Sequence, residues 1–457
     1  GVSEQSAVAA VIQDNLFGLE IDPRCTQIGA FNLALAAWRR VGHCKLPAMN
    51  LACSGLAPNI SEADWLALAG DNERLRNGMK RLYQLFDNAA VLGSLVNPRA
   101  EEADLLMAGF TELQPLLEQA LVLESKDSTT NELAVTARGL TKAADILASR
   151  FTLVATNVPY LGRGKQDLIL RKFSEKNHLA AKAELATTFV ERCASFSCVS
   201  GTSALVTPQS WWFQESSKDL RVEVLTKQTE RLIATLGEEA WQSFGRRGPV
   251  TVLMILQNHS PDKAHVVCGL DALPRKTIPE KEIELQTGQL IHLTQSGHFS
   301  NPDHRITIQE GVRGPLLQDF ADSYLGLGTG DAPHYTRAFW ELPLLTEFWS
   351  CLQGGPGEQS SNAGREQIVA WDKVTNRVFG MSDDERKQGH NQDYRGRSAW
   401  GRKGIAISLM RTLRATAYDG DLFEKSIAVL VPKTEDVILA IKAFTDSPEY
   451  PEAVRKL

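Results

Sequence analysis

Apolar residues recur with two different periods along this chain, and the switches between them mark its elements. In "GVSEQSAVAAVIQDN" the residues Val8, Val11 and Ile12 share one side, as in the back half of a helix. The chain is therefore expected to enter its first domain partway through. "NLFGLEIDP" then reads as a short buried strand ending in acids and a proline. In "RCTQIGAFNLALAAWRR", Ile28, Phe31, Leu35 and Trp38 fall at helical spacing, which predicts an amphipathic helix. "KLPAMNLACSG" supplies another brief strand. Strand, helix and strand in this order predict a parallel sheet covered by helices.

From about residue 60 to 150 the period is mostly helical. Leu75, Met79, Leu82 and Phe86 make one stripe and "ELQPLLEQALVLE" another, both read as core, so the stretch is a helical insertion between strands. The sheet resumes at "FTLVATN", followed by a helix through "AELATTFVERCASF" and a strand at "GTSALVTP". "DLRVEVL" and "VTVLMILQN" read as further strands, the second rich in β-branched residues. After about residue 270 the character changes. "LPRKTIPEKEIE" reads as a linker, and beyond it come short strands, Gly-rich turns and many aromatics. The expected domains are 1–275 and 276–457.

Composition narrows this picture. A chain of 457 residues holds two to three domains, and 43% hydrophobic with 23% charged residues is ordinary for a globular protein. A net charge of −6 excludes a surface coated for nucleic acid, so any such contact uses a local basic patch. Seven scattered cysteines point to reduced thiols and a cytoplasmic protein. Cys193 and Cys198 come closest to a ligand spacing, but no second Cys or His pair accompanies them and no metal is expected. No run is long enough to cross a bilayer, no signal peptide opens the chain, and no internal repeat is present.

Two stretches carry candidate chemistry. Ligands of doubly wound sheets sit outside the carboxyl ends of the strands. There "GLEIDP" offers Glu20 and Asp22, with Ile21 between them, as acceptors for the ribose hydroxyls of a nucleoside cofactor. Read alone, the pair also fits a solvated strand end. The other stretch, "ATNVPYLGRGKQ", combines an amide, a rigid turn, an aromatic face and two cations. An exocyclic amine conjugated into a purine is a poor nucleophile. The Asn157 side-chain oxygen and the Val158 carbonyl can draw it toward a tetrahedral geometry, on a turn stiffened by Pro159. Tyr160 offers a π-face to an unstacked base, worth about 1–3 kcal/mol, comparable to the cost of extruding it. Arg163 and Lys165 would hold the neighbouring phosphates. The plainer alternative is a strand-terminating turn with an exposed tyrosine.

"TNVPYLGRGKQ" resembles the catalytic Asn-Pro-Pro-Tyr motif of amino-methyltransferases that use S-adenosylmethionine. "NLFGLEIDPRCTQIGAFNLALAAWR" is similar to their cofactor-ribose strand and following helix, and "GTSALVTPQSWWFQESSKDLR" to the strand and helix after their catalytic loop. The likeness is to large bacterial adenine-N6 DNA methylases, the BREX/PglX-type and the restriction-enzyme-fused (type IIG) methylases. It runs on through "GLGTGDAPHYTRAFWEL" and "AWGRKGIAISLMRTLRATAY", which are similar to their DNA-specificity region. It covers nearly the whole chain, the helical insertion only loosely.

The resemblance implies an α/β fold, a Rossmann-like methyltransferase sheet with a helical insertion, followed by a mixed α+β DNA-specificity domain. It implies methyl transfer from S-adenosylmethionine to adenine N6 in phage defence or restriction–modification. The partners would be double-stranded DNA with a flipped adenine and other phage-defence proteins, with no membrane. Asn157, Val158, Pro159 and Tyr160 would be catalytic, and Glu20, Ile21 and Asp22 would bind the cofactor. Two features depart from the pattern. Val158 replaces the first proline of the motif, keeping its carbonyl and losing some rigidity. No Gly-rich loop precedes Glu20, since only Gly1 and Gly18 do. The expectation is an N-terminally truncated piece that binds the cofactor poorly. "GLGTGD", Gly326 to Asp331, is an alternative loop in a permuted order, but no acidic strand follows it.

For DNA, the segment from Tyr394 to Arg414 gathers Arg395, Arg397, Arg402, Lys403, Arg411 and Arg414 around Trp400. Arginine forks onto guanine or clamps phosphate, and an aromatic stacks or wedges. The alternative is a solvated loop around a core tryptophan. His334, Tyr335 and Arg337 form a second candidate patch. Competing readings are a protein-glutamine methyltransferase, whose planar amide poses the same electronic problem, and a non-catalytic DNA-binding fragment. No strand carries a nuclease's paired carboxylates with a following lysine.

Overall fold

The computed structural model describes residues 1–58, 60–67, 69–99, 128–241, 248–309, 314–355, 364–388, 392–409 and 413–456. The chain divides into two compact units, Gly1–Glu310 and Gly311–Leu457. The division falls later than the boundary at 275/276 expected from composition, because the intervening residues are tied to the first unit. "LPRKTIPEKEIE", read as a linker, contains a helix, Ile278–Thr287, opened by a Thr277–Glu280 capping box with Pro279 in its first turn. Its Lys281 is buried and donates to the carbonyls of Leu236 and Ala272 at 2.6 and 3.0 Å. Buried His298 then meets Glu230 at 2.7 Å.

Among the described residues, the first unit has two sheets. β1 (Phe17–Glu20) and β2 (Asn50–Cys53) pair in parallel, as the strand–helix–strand order predicts. β3 (Phe151–Asn157), β4 (Ser197–Pro208), β5 (Thr229–Gly237), β6 (Thr251–Gln257), β7 (Val266–Asp271) and β8 (Ile291–Thr294) form a mixed sheet in the order β3-β4-β6-β5-β7-β8. β3 runs parallel to β4, whereas β6 is antiparallel to both β4 and β5. Within the described residues β1 pairs only with β2 and β3 only with β4, so each keeps one edge unpaired. Leu153, in the middle of β3, is 60% exposed.

The helical insertion folds as its period predicts where it is described. Leu75, Met79, Leu82 and Phe86 all bury their side chains along Glu73–Phe86. They join Leu140, Ala144 and Leu147 of the Ser128–Ala148 helix in one core that also takes Ala52 and Phe196. The stripe "ELQPLLEQALVLE" lies outside the described residues.

Two readings change. The helix Pro23–Val41 buries Ala34 and Ala37, while Ile28 and Phe31, two residues of the expected stripe, are 58% and 60% exposed. "DLRVEVL" is helical, within Lys218–Lys227, and not a strand. Leu220, Arg221, Val224 and Leu225 are its buried residues, a helical spacing that the alternating valines mask in the sequence. The strand in this region is β5, which begins just after that helix.

In the second unit, β9 (Ala321–Leu325), β14 (Gly404–Ser408), β15 (Ala415–Tyr418) and β17 (Ile427–Pro432) make an antiparallel sheet in the order β15-β14-β17-β9. The Ile438–Asp446 helix packs Ile441 against Ile405, Ile407 and Leu430. A second sheet orders β10 (Thr336–Ala338), β12 (Gln367–Asp372), β11 (Trp349–Gln353) and β16 (Leu422–Phe423), with β13 (Arg377–Val378) added to β12. "GLGTGD" is part of this packing. Gly326 through Thr329 are buried, and a Cβ on Gly326 would collide with the carbonyl of Glu424. Gly326 allows close backbone approach here, a packing role that accounts for it without a permuted cofactor loop.

Candidate active site

Asn157 ends β3, paired in register with Val206 of β4, and its side chain is exposed. The next amide, of Val158, donates to the carbonyl of Val206 at 3.2 Å, which carries the parallel ladder one residue past the strand. The Val158 side chain is buried at 3% exposure. Burial thus supplies some of the rigidity that a proline would give. Pro159 is exposed and Tyr160 half-buried. Beyond the turn, the Arg163 amide bonds to Ala183 O and the Leu185 amide to Leu161 O, stapling the loop to the start of the Leu185–Phe196 helix.

Tyr160 does not stand alone. Its ring lies edge-on to Trp241, with centroids 6.2 Å apart and planes at 90°. Among the described residues its hydroxyl is buried with no hydrogen bond of good geometry, Thr251 being the nearest candidate, and burial pushes its pKa up. Thr251 close by is already engaged, donating to Pro249 O at 2.8 Å and accepting from Trp241 Nε1 at 2.9 Å. Glu184 is part-buried and its carboxyl is raised, chiefly by desolvation, against a smaller lowering by Ser210. Trp241 and Glu184 escaped the sequence reading. Trp241 follows two glutamates after β5, and nothing local links it to a loop so far back along the chain.

The cations after Tyr160 separate. Arg163 forms a partly exposed ion pair with Glu175. Lys165 is exposed, and its ammonium makes no ion pair among the described residues.

At the other strand end, Glu20 and Asp22 have different duties. Glu20 Oε1 accepts from the amides of Ile21 and Asp22 at 2.8 and 3.1 Å, leaving Oε2 open among the described residues. Asp22 caps the Pro23–Val41 helix through the Arg24 amide at 2.8 Å, and its other oxygen pairs with Arg24 Nη2 at 2.7 Å. The Arg24 guanidinium bonded to it, with that amide, holds the carboxyl down at about 2. Each Asp22 oxygen thus already accepts from Arg24, whereas Glu20 Oε2 accepts from no group among the described residues. Ile21 is 45% exposed, but its backbone and side chain sit against Gly55 and Gly93. A Cβ on Gly55 would lie 2.7 Å from Ile21 Cγ1.

In the second unit Arg395, Arg397, Arg402 and Lys403 are all exposed and none makes an ion pair among the described residues. Trp400, placed at their centre by the sequence, is half-buried. It packs into two apolar clusters and meets Trp371 edge-on at 5.3 Å, so it serves the core of this unit more than its surface. Arg411 lies outside the described residues. In the second patch Tyr335 belongs to the core, and Arg337 donates to the carbonyls of Pro333 and Thr336, leaving His334 exposed. Among the described residues no three His, Cys, Asp or Glu side chains come together as a metal site, and no helix is long and apolar enough to cross a membrane.

Comparison with known proteins gives this geometry a context. Residues 14–240 match the family described as Eco57I restriction-modification methylase. The chain is 27% identical over 265 residues to the adenine-specific methyltransferase PglX of Lacticaseibacillus casei (strain Zhang), covering 56% of this chain and 21% of that protein. It is 28% identical over 277 residues to the adenine-specific methyltransferase BrxX of Escherichia coli O9:H4 (strain HS), covering 55% and 22%. The chain thus spans about a fifth of the length of these curated relatives. Among solved structures, a nuclease-deletion mutant of the Type ISP restriction-modification enzyme LlaGI, in complex with a DNA substrate mimic, aligns with 94% of this chain and 37% of its own. Its TM-score is 0.50 at 10% identity, a likeness of fold.

Proposed function

We propose, from the match of residues 14–240 to the Eco57I restriction-modification methylase family, that this chain is part of an adenine-specific DNA methyltransferase of phage defence or restriction–modification. The observation that carries the reading is the turn after β3. It offers an exposed Asn157, a Val158 main chain fixed by burial and by Val206, and a half-buried Tyr160 backed by Trp241.

S-adenosylmethionine, when bound, supplies an electrophilic methyl group on a sulfonium. The residues of the chain do the rest. Asn157 Oδ1 and the Val158 carbonyl accept from the two N6 hydrogens of an extruded adenine, which localises the nitrogen lone pair for attack. Tyr160 replaces one lost stacking neighbour, and Trp241 buttresses its edge. N6 would bond the methyl carbon as that carbon's bond to the sulfonium sulfur breaks, leaving a neutral thioether, and would then lose one proton to solvent. Glu20 Oε2 suits a ribose hydroxyl at the end of β1, with Ile21 beside it. Asp22 caps the helix that follows.

Lys165, Arg395, Arg397, Arg402 and Lys403 are the exposed cations, without an ion pair among the described residues, that suit the DNA backbone or base edges. Replacing Arg402 and Lys403 by alanine should weaken DNA binding and lower the slope of log K against log salt by about 0.9 for each phosphate no longer neutralised. An unchanged slope removes them from the interface.

The direct test is incubation of the chain with methyl-labelled S-adenosylmethionine and either double-stranded DNA or protein. Label recovered as N6-methyladenine, and lost in Asn157→Ala, supports the reading. Label in protein glutamine would favour the competing methyltransferase. DNA binding with no transfer, even at saturating cofactor, would leave the non-catalytic module.

A further inference from the structure

Arg192 is a deeply buried charge of the first unit, with its side chain 1% exposed and no carboxylate against it among the described residues. Its guanidinium donates to Ser94 O at 2.9 Å, to Val96 O at 2.8 Å, to Leu147 O at 3.1 Å and to Ser195 Oγ at 2.9 Å. It lies 3.8 Å over the ring of Phe196. Burying a charge without a counter-ion is costly, and an apolar residue would fill the same space. What a guanidinium adds is five donors in a fixed plane, here spread over carbonyls from two distant segments and a hydroxyl of its own helix.

One of those segments, the turn Gly93–Val96, is the floor of the Glu20 turn. The Ser94 hydroxyl lies 3.1 Å from that of Ser54. Ser54 donates twice to the carbonyl of Glu20, from its amide at 2.7 Å and its hydroxyl at 3.3 Å. Gly93, at φ +50, approaches Ile21 so closely that a Cβ there would lie 3.0 Å from Ile21 Cδ1. The Glu20 carboxylate is in turn bonded to the amides of Ile21 and Asp22, so its direction follows the main chain.

We infer that Arg192 is a positioning residue for Glu20, acting through Ser94 and Ser54 to set the angle at which Glu20 Oε2 is presented to a nucleoside ribose. The inference rests on the reading of Glu20 as the ribose acceptor. It assigns no contact with the reacting atoms to Arg192. The relay also explains why a helix beside the catalytic loop carries a cation into the core. Leu185–Phe196 is stapled to the Asn157 loop at its start and governs the Glu20 turn from its last turn.

The test is hydrogen–deuterium exchange on the full chain, with variants Ser94→Ala, Ser94→Thr and Arg192→Lys, beside calorimetric titration with S-adenosylmethionine. In Ser94→Ala, exchange across residues 17–24 should rise about fivefold, the effect of one lost hydroxyl bond, while residues 151–160 and the melting temperature stay near the parent. Ser94→Thr keeps a hydroxyl and should restore protection. Arg192→Lys cannot span the same carbonyls and should loosen residues 17–24 and 93–96 together. S-adenosylmethionine affinity should fall by a similar factor in Ser94→Ala and Arg192→Lys, with DNA affinity unchanged. Unaltered exchange at 17–24 in Ser94→Ala overturns the relay and leaves the methyltransferase reading standing. Faster exchange with unchanged cofactor affinity overturns the ribose role of Glu20, whatever Asn157→Ala does to methylation.

Discussion

At the end of β3 the chain aims Asn157 outward, with the strand's own ladder holding it, since the next amide bonds to Val206 and the next side chain is buried. At the end of β1, Glu20 lies, among the described residues, in a two-stranded sheet and is held by a polar relay through Ser54, Ser94 and Arg192, with two glycines admitting Ile21. Both turns present an acceptor beyond a carboxyl end. The first draws its rigidity from pairing with β4 inside a six-stranded sheet. The second draws it from serine hydroxyls and a buried guanidinium. A turn on a weakly paired strand needs outside support to hold one direction, because two strands alone leave its backbone freer to move.

Substitutions at either turn, and one titration, test that contrast. The largest effect is expected for Asn157→Ala. On the proposed reading it removes an acceptor used during methyl transfer, and the rate should drop by about 100- to 1,000-fold by analogy with lost preorganised polar groups. The melting temperature should stay near the parent, because the side chain is exposed. Next, Tyr160→Ala should weaken binding to DNA carrying an unpaired adenine by about 1–3 kcal/mol in a fluorescence titration. Tyr160→Phe should bind equally well and be no less stable, since the hydroxyl it removes is buried and makes no well-formed hydrogen bond among the described residues. At the other turn, Gly55→Ala forces a Cβ against Ile21 and should cost about 1–2 kcal/mol in urea unfolding. It should leave exchange at the Asn157 turn unchanged.

The smallest effect concerns pH. The Asp22 carboxyl is held at about 2 in the fold, below its ordinary 3.8. A lowered carboxyl stabilises the fold fully above its ordinary value, and the contribution is lost as pH falls through the folded value. Protection of the first turn of Pro23–Val41 should therefore persist above pH 3.8 and fade between there and about 2. Amide exchange measured across that interval checks it. Asp22→Asn should flatten the pH dependence.

How much was legible varies with the kind of signal. The turn after β3 announced itself because its parts are consecutive, from Asn157 to Tyr160. The stripe from Leu75 to Phe86 was legible because a helix buries every third or fourth residue whatever it packs against. The Pro23–Val41 helix misled for the opposite reason. Its large residues share a stripe, yet the residues it buries are the small Ala34 and Ala37. "DLRVEVL" alternates like a strand and folds as a helix, its buried set chosen by the core beneath it. Among the cations, sequence proximity to Tyr160 did not distinguish Arg163 from Lys165. The ion pair with Glu175 did.

By itself the sequence determined what depends on neighbours along the chain. That includes the periods that make helices and strands, the order of acceptor, turn and aromatic after β3, and a net charge that confines any nucleic-acid contact to a patch. The tertiary structure alone decided which acid keeps a free oxygen, which of the cations is tied into an ion pair, that Trp241 stands beside Tyr160, and that Arg192 reaches the floor of the Glu20 turn. The last two are pairings between residues tens of positions apart. Each competes with solvent and with other partners for the same hydrogen bonds, and only the packed chain fixes the outcome.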